Sequence, residues 1–277
     1  MGLRISTNVA AINSKRQIGN SQMGVENSLA KLSSGSRINK SADDAAGLAI
    51  SENLKAQIRS TRQAGRNAND GISMVQTAEG GLNEIGNIVT RLRELGIQAA
   101  SDTIGNTERG FIDKEVQQLK SEMQRIASVT TWGDTKLLDG TSPVFDFQVG
   151  INNDDFNDRI SFQAGENVAT LDALGLSGVD YNSKEGAQTA LAELDKAQEN
   201  VNRMRSNLGA LQNRLTSTVQ NLGVAEENMS AANSRIRDTD VAMESSELTK
   251  NNILMQASVS TLAQANQKDM LALKLIG

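Results

Sequence analysis

The sequence predicts a mainly α protein, a long helical coiled-coil or bundle rod with one small β-hairpin region in the middle of the chain. Three observations carry this expectation. Both ends, residues 3–34 and roughly 224–277, are free of Pro and hold apolar residues at helical spacing. A single Pro occurs in 277 residues, and Pro breaks helix interiors. Period-two alternation is confined to one central stretch, around Thr130–Gly165.

On a helix advancing about 100° per residue, Ile5, Val9, Ile12 and Met23 share one face of the first segment. Ile18, Val25, Leu29 and Leu32 fall on nearly the opposite face. A surface helix needs one apolar stripe, so two opposed stripes predict burial on both sides. A terminal helix seldom becomes the centre of a bundle, and packing between subunits is the preferred reading over a central bundle helix. At the other end, Leu248, Met255, Val259, Leu262, Asn266 and Leu273 follow spacings of 7, 4, 3, 4 and 7, a heptad-like seam. Asn266 reads equally as a register-fixing polar residue or as a solvated rim position. The candidate subunit-interface residues are therefore Ile5, Val9, Ile12, Met23, Leu29, Leu32, Leu248, Met255, Val259, Leu262 and Leu273.

Between the ends, a breaker cluster at Ser33-Ser34-Gly35-Ser36-Arg37-Ile38-Asn39 precedes Asp43-Asp44 and the run Ala45-Ala46-Gly47-Leu48-Ala49-Ile50. Paired carboxylates suit metal or acid–base chemistry, but at this place they suit a helix N-terminus better, where they accept from free N–H groups. Helical periodicity runs from Ile58 through Leu95 and weakens at Ser101-Asp102-Thr103-Ile104-Gly105-Asn106. A shorter helix resumes near 107–128, with Gly96, Gly105 and Gly110 framing a hinge. Phe145, Phe147 and Val149, then Ile160 and Phe162, alternate with polar residues and predict a hairpin. Its tip, residues 150–158, lacks the central Gly and late Glu of a calcium loop, so it reads as turn chemistry. Helical pattern returns from about Ser183 through Leu222.

Composition removes most catalytic constellations. With no His and no Cys, the usual general base, the commonest metal ligand and every thiolate function are missing. Gly133-Asp134-Thr135-Lys136 lacks the spacing of a phosphate loop, and Gly80-Gly81 lies inside a helical pattern. No catalytic, cofactor-binding or metal residue is assigned, and no enzyme is expected. Net charge is −5 with interspersed signs, which offers no basic footprint for nucleic acid. No stretch approaches the ~20 apolar residues of a membrane span, and the first residues do not form a cleavable secretory signal.

At four places the chain resembles the bacterial flagellins. Residues Leu32 through Asn39, continuing from Ala42 through Glu52, are similar to the family's N-terminal signature. Asn69-Asp70-Gly71-Ile72-Ser73-Met74-Val75-Gln76-Thr77-Ala78-Glu79-Gly80 is a second match. Ser234 through Asp240, and Gln256 through Gln267, are the third and fourth. The resemblance implies a structural subunit that self-polymerises into the flagellar filament for motility, with two helical layers. Terminal helices 1–42 plus 236–277 would form the inner filament core domain, and 43–235, with the hairpin at about 140–165, the outer one. Only a short connection follows the hairpin, so the chain resembles a minimal form without large outer domains.

The resemblance further implies type III export without a cleaved signal to an extracellular flagellum, with bare, sheathed and periplasmic filaments all open. The implied partners are the chain itself, an export chaperone on the C-terminal helix, and hook-associated and cap proteins. Arg91, Leu95 and Glu115 match residues contacted by the animal innate receptor for flagellin, while Thr90 replaces the usual Gln. Further departures are Ser6 for a common Asn and Lys268-Asp269 where a Pro is usual, which lets the last helix run on. Two alternatives stand beside this one. A hook–filament junction protein would assemble over a short range, and a helical enzyme would use carboxylates such as Asp43, Asp44 or Glu79.

Overall fold

The computed structural model describes residues 7–142 and 144–276, the side chains from 268 onward excepted. Five helices carry most of the chain: α1 (Val9–Ser34), α2 (Ala45–Ala99), α3 (Asn106–Val129), α4 (Lys184–Arg237) and α5 (Val241–Ile276). They distribute over two compact units, residues 1–58 with 228–277 and residues 59–227, and α2 and α4 contribute to both.

In the first unit, α1 lies against α5. Asn8 starts α1 by accepting from the Ala11 N–H at 2.9 Å, while its amide donates to the Ala265 carbonyl at 3.1 Å. Gly35 ends the helix at φ 68°, a left-handed conformation that costs glycine no Cβ clash. The turn that follows is built on carboxylates. Asp43 accepts from the N–H groups of Asn39 and Lys40 at 3.0 and 2.9 Å, and Asp44 caps α2 through the Gly47 N–H at 2.8 Å.

The C-terminal pattern, expected as one helical stretch from about 224, is broken at 238–240. Asp240 captures the N–H groups of Ala242 and Met243 at 2.9 and 3.1 Å, so a new helix starts there instead of continuing α4. This break and the α1–α2 turn are tied together. The Arg37 N–H donates to the Arg237 carbonyl at 2.7 Å, and the Thr239 N–H to the Gly35 carbonyl at 3.0 Å. The Arg37 guanidinium reaches the Ile236 carbonyl, and Arg237 pairs with Glu52.

Hydrogen bonds from two backbone N–H groups, first Lys40 and then Asn39, hold the Asp43 carboxyl below its ordinary value of 3.8. The sign follows: a depressed carboxylate pKa contributes stability above 3.8 that is lost as pH falls through the folded value. Asp43→Asn is expected to loosen the 39–44 turn at neutral pH and to remove that part of its acid sensitivity. Amide hydrogen exchange at Asn39 and Lys40, followed from neutral to acid pH, checks it.

The second unit packs the remaining parts of α2 and α4 with α3. Their buried positions recur every three or four residues: Met74, Ala78, Leu82, Ile85, Val89 and Leu92 on α2, and Leu194, Ala197, Val201, Met204 and Leu208 on α4. Val116, Met123 and Ala127 of α3 join the same core. Arg62–Glu226 at 2.6 Å and Arg93–Asp195 at 2.7 Å fix α2 antiparallel to α4 over this region, since both pairs sum to the same register.

The hairpin forms as the alternation predicts. Strands β3 (Val144–Gln148) and β4 (Arg159–Gln163) pair antiparallel with Phe145 opposite Phe162 and Phe147 opposite Ile160. Asp154 turns the tip by accepting from Phe156 and Asn157 N–H groups at 2.9 and 3.2 Å. The sequence did not announce a second, two-residue ladder, β1 (Thr131–Trp132) with β2 (Thr135–Lys136). Gly133, at φ 58°, closes it, and strands of that length leave no period to read. The expected glycine hinge is likewise replaced: Gly96 and Gly110 lie inside α2 and α3, and only Gly105 stands at the break, as the N-cap of α3.

Candidate functional site

The α1–α5 pair leaves large apolar side chains exposed along both of its helices. On α1 the residues turned towards α5 are Ala11, Ser14, Ile18, Ser21, Val25, Ser28 and Leu32, an uninterrupted 3–4 heptad spacing. On α5 they are Leu248, Asn251, Met255, Ser258, Leu262 and Ala265. Counting from the Asn8–Ala265 hydrogen bond and the Lys31–Glu244 ion pair at 3.7 Å sets the layers of the antiparallel pair. That register sets Ser14 nearest the Leu262 position, Ile18 nearest Ser258, Ser21 nearest Met255, and Ser28 nearest Leu248. In these four layers a serine lies beside a larger side chain, which lets the helices approach closely. A Cβ on Gly24 would come within 2.9 Å of the Asn251 side chain.

This arrangement sorts the residues singled out from the sequence. Leu32, Leu248, Met255 and Leu262 are half-buried in the seam of one chain. Val9, Ile12, Met23, Leu29 and Val259 point away from it and remain between 51% and 58% exposed. Ile5 lies outside the described residues, as does the side chain of Leu273. Asn266 is exposed beside the seam. Sequence reasoning passed over Val241, Met243 and Ile253, exposed apolar residues on α5, because they fall off the heptad it was following. It also missed the serines at 14, 21 and 28, although their seven-residue recurrence was there to read. A search for apolar stripes discards serine.

The carboxylates that the enzyme alternative would use at the 39–44 turn serve here as turn and cap acceptors. Asp43 and Asp44 accept from backbone N–H groups in the turn and cap just described. Glu79 lies on α2. In the second unit, Arg91 bridges Glu94 and Glu115 at 3.0 and 2.9 Å on the exposed side. These bonds, that to Glu115 first, raise the Arg91 pKa further. Thr90 bonds the Gly86 carbonyl at 2.9 Å. Leu95 is different: at 3% exposed it belongs to the core and offers a partner no side-chain surface.

Among the described residues no helix is long and apolar enough to cross a membrane. Exposed apolar side chains along paired end helices are a surface suited to packing against other helices. Residues 5–143 match the family described as the bacterial flagellin N-terminal helical region, and residues 191–276 its C-terminal helical region. The flagellin of Halalkalibacterium halodurans is 43% identical over 272 residues, covering 98% of this chain and 99% of that protein. The flagellin of Bacillus subtilis is 40% identical over 303 residues, covering 99% and 100%. The crystal structure of Bacillus cereus flagellin aligns with a TM-score of 0.51 at 29% identity, over 61% of this chain and 94% of that one. The chain belongs to the bacterial flagellins and is a structural subunit of the flagellar filament. At 277 residues it is a minimal form.

Proposed function

We propose that the exposed faces of α1 and α5 are the contacts through which copies of this chain join, with the small-against-large seam holding each pair of end helices rigid. The observation that supports this reading is the row Val9, Ile12 and Met23 on one face of α1, with Leu29 exposed on another and Val259 exposed on α5. Burying each such side chain is worth about 1.5–3 kcal/mol, enough in sum to drive association. An open helical polymer requires heterologous contacts, so each row meets a different surface of the next copy. In this arrangement the paired ends, 1–42 and 236–277, make the inner layer, and 43–235 the outer.

Export follows the same physics. An isolated striped helix is marginal in water, so the end segments stay unfolded until α1 and α5 pair. A chaperone holding the α5 segment beforehand, a flagellar export channel leading outside the cell, and cap and hook-associated proteins at the filament ends complete the proposal. Arg91 and Glu115 are the exposed pair available to an innate receptor, and Leu95 enters only through the core.

The test is seeded growth. Purified chain mixed with sheared filaments is expected to give long uniform filaments by electron microscopy. Ile12→Asp, which places a carboxylate on the exposed row, is expected to stop growth while leaving the circular-dichroism signal of the monomer unchanged. Normal filaments from that variant would move the interface elsewhere.

A further inference from the structure

We infer that Met23 and Met243 are the positions at which hydrogen peroxide turns this subunit from assembly-competent to assembly-incompetent. The inference rests on the proposed packing of the paired end helices.

The composition leaves peroxide few targets. The chain has no Cys and no His, one Trp and one Tyr, against nine Met. The thioether is therefore the soft nucleophile on offer. Burial then selects among the described methionines. Met74, Met123 and Met204 sit in the core of the second unit, and Met229 and Met255 are half-buried. Met23 and Met243 are exposed, Met243 at 74%. Both belong to the unit formed by the chain ends, one on α1 and one in the first turn of α5.

The reaction balances without a cofactor. A sulfur lone pair attacks one peroxide oxygen, forming the S–O bond as the O–O bond breaks. The departing hydroxide takes the proton from the transferred oxygen and leaves as water. Sulfur loses two electrons and peroxide gains them. The product sulfoxide carries a strong dipole and a hydrogen-bond acceptor in place of an apolar tip. In the free subunit this oxygen faces water and costs nothing. Pressed against an apolar helix of the next copy, it loses that hydration without a donor in return. Oxidation therefore acts on addition to the filament and leaves the folded subunit intact.

A partly oxidised pool separates the outcomes. Subunits are treated with hydrogen peroxide, freed of it, and grown on sheared seeds; pellet and supernatant are then digested and the mass of each methionine peptide read. Sulfoxide at Met23 and at Met243 is expected to be depleted about tenfold in the pellet. Equal sulfoxide in pellet and supernatant overturns the inference, and depletion at one position alone overturns the other assignment. The double variant Met23→Leu with Met243→Leu keeps the volume and removes the sulfur. It is expected to keep growing after full treatment; if it stops as the treated parent does, the sensitive group lies elsewhere. Untreated subunits that fail to grow would instead overturn the proposed filament packing.

Discussion

Leu262→Asp is expected to abolish filament growth and, unlike Ile12→Asp, to lower the helical signal of the monomer. Leu262 is half-buried on the α1 face of α5, in the layer of Ser14. A carboxylate there enters a seam of apolar and small side chains and loses part of its hydration. Such a group costs several kcal/mol, of order 3–5 when left uncompensated. Among the described residues, the neighbouring layers and the Asn8–Ala265 bond hold α5 to α1 along that stretch. Since isolated helices are marginal, the far half of the pair should fray. Ellipticity at 222 nm and seeded growth, measured on both variants, separate loss of the seam from loss of the outer contact. A Leu262→Asp monomer with full helicity would show that the seam contributes little to the free subunit.

The second large effect belongs to the other unit. Arg109→Met is expected to destabilise residues 59–227 by about 3 kcal/mol, because three acceptors lose their donors at once. The Arg109 side chain is buried. Its guanidinium donates to the Ala99 and Ser101 carbonyls at 2.8 Å each and to Asn106 Oδ1 at 2.9 Å. It therefore closes the C-terminus of α2 and fixes the 100–105 turn against the start of α3. Met fills much of the same volume and restores none of the bonds. Arg109→Lys is expected to recover only part of the loss, since a point charge cannot reproduce the planar fork. Denaturant midpoints for the parent and both variants check the order. Equal stability of Met and parent would mean water replaces the guanidinium.

These two variants mark where the sequence could be read and where it could not. The heptad positions of α2 and α4, the cap at Asp44 and the Phe145/Phe162 alternation are local patterns, and the structure follows them. Each is a period or a short spacing, which a single sequence displays directly. Arg109 reads as an ordinary surface cation, as does Lys120, whose buried ammonium donates to the Ser177 and Val179 carbonyls at 2.9 and 3.0 Å. Their partners are backbone carbonyls brought near by folding, and no residue type announces a carbonyl. Tyr181 is the same case. Its hydroxyl donates to the Leu92 carbonyl at 2.8 Å, and burial, with the nearby Asp113 charge, pushes its pKa up to about 12.

Which apolar residues of the end helices stay exposed was legible in part, for a related reason. The sequence shows which residues are apolar but not which of two opposed stripes the chain covers by itself. Folding α5 onto α1 settles that for Ile18, Val25 and Leu32 and leaves Val9, Ile12 and Met23 outside. The break at 238–240 was hidden because Asp and Thr also occur on exposed helix faces. It became visible only once Asp240 was seen to hold two N–H groups.

A helical reconstruction of the assembled filament at side-chain detail tests the central claim most directly. The account predicts that Val9, Ile12, Met23, Leu29 and Val259 are buried between copies, with the α1–α5 layers of each subunit unchanged. Filaments in which those side chains face solvent, while other surfaces join the copies, would contradict it.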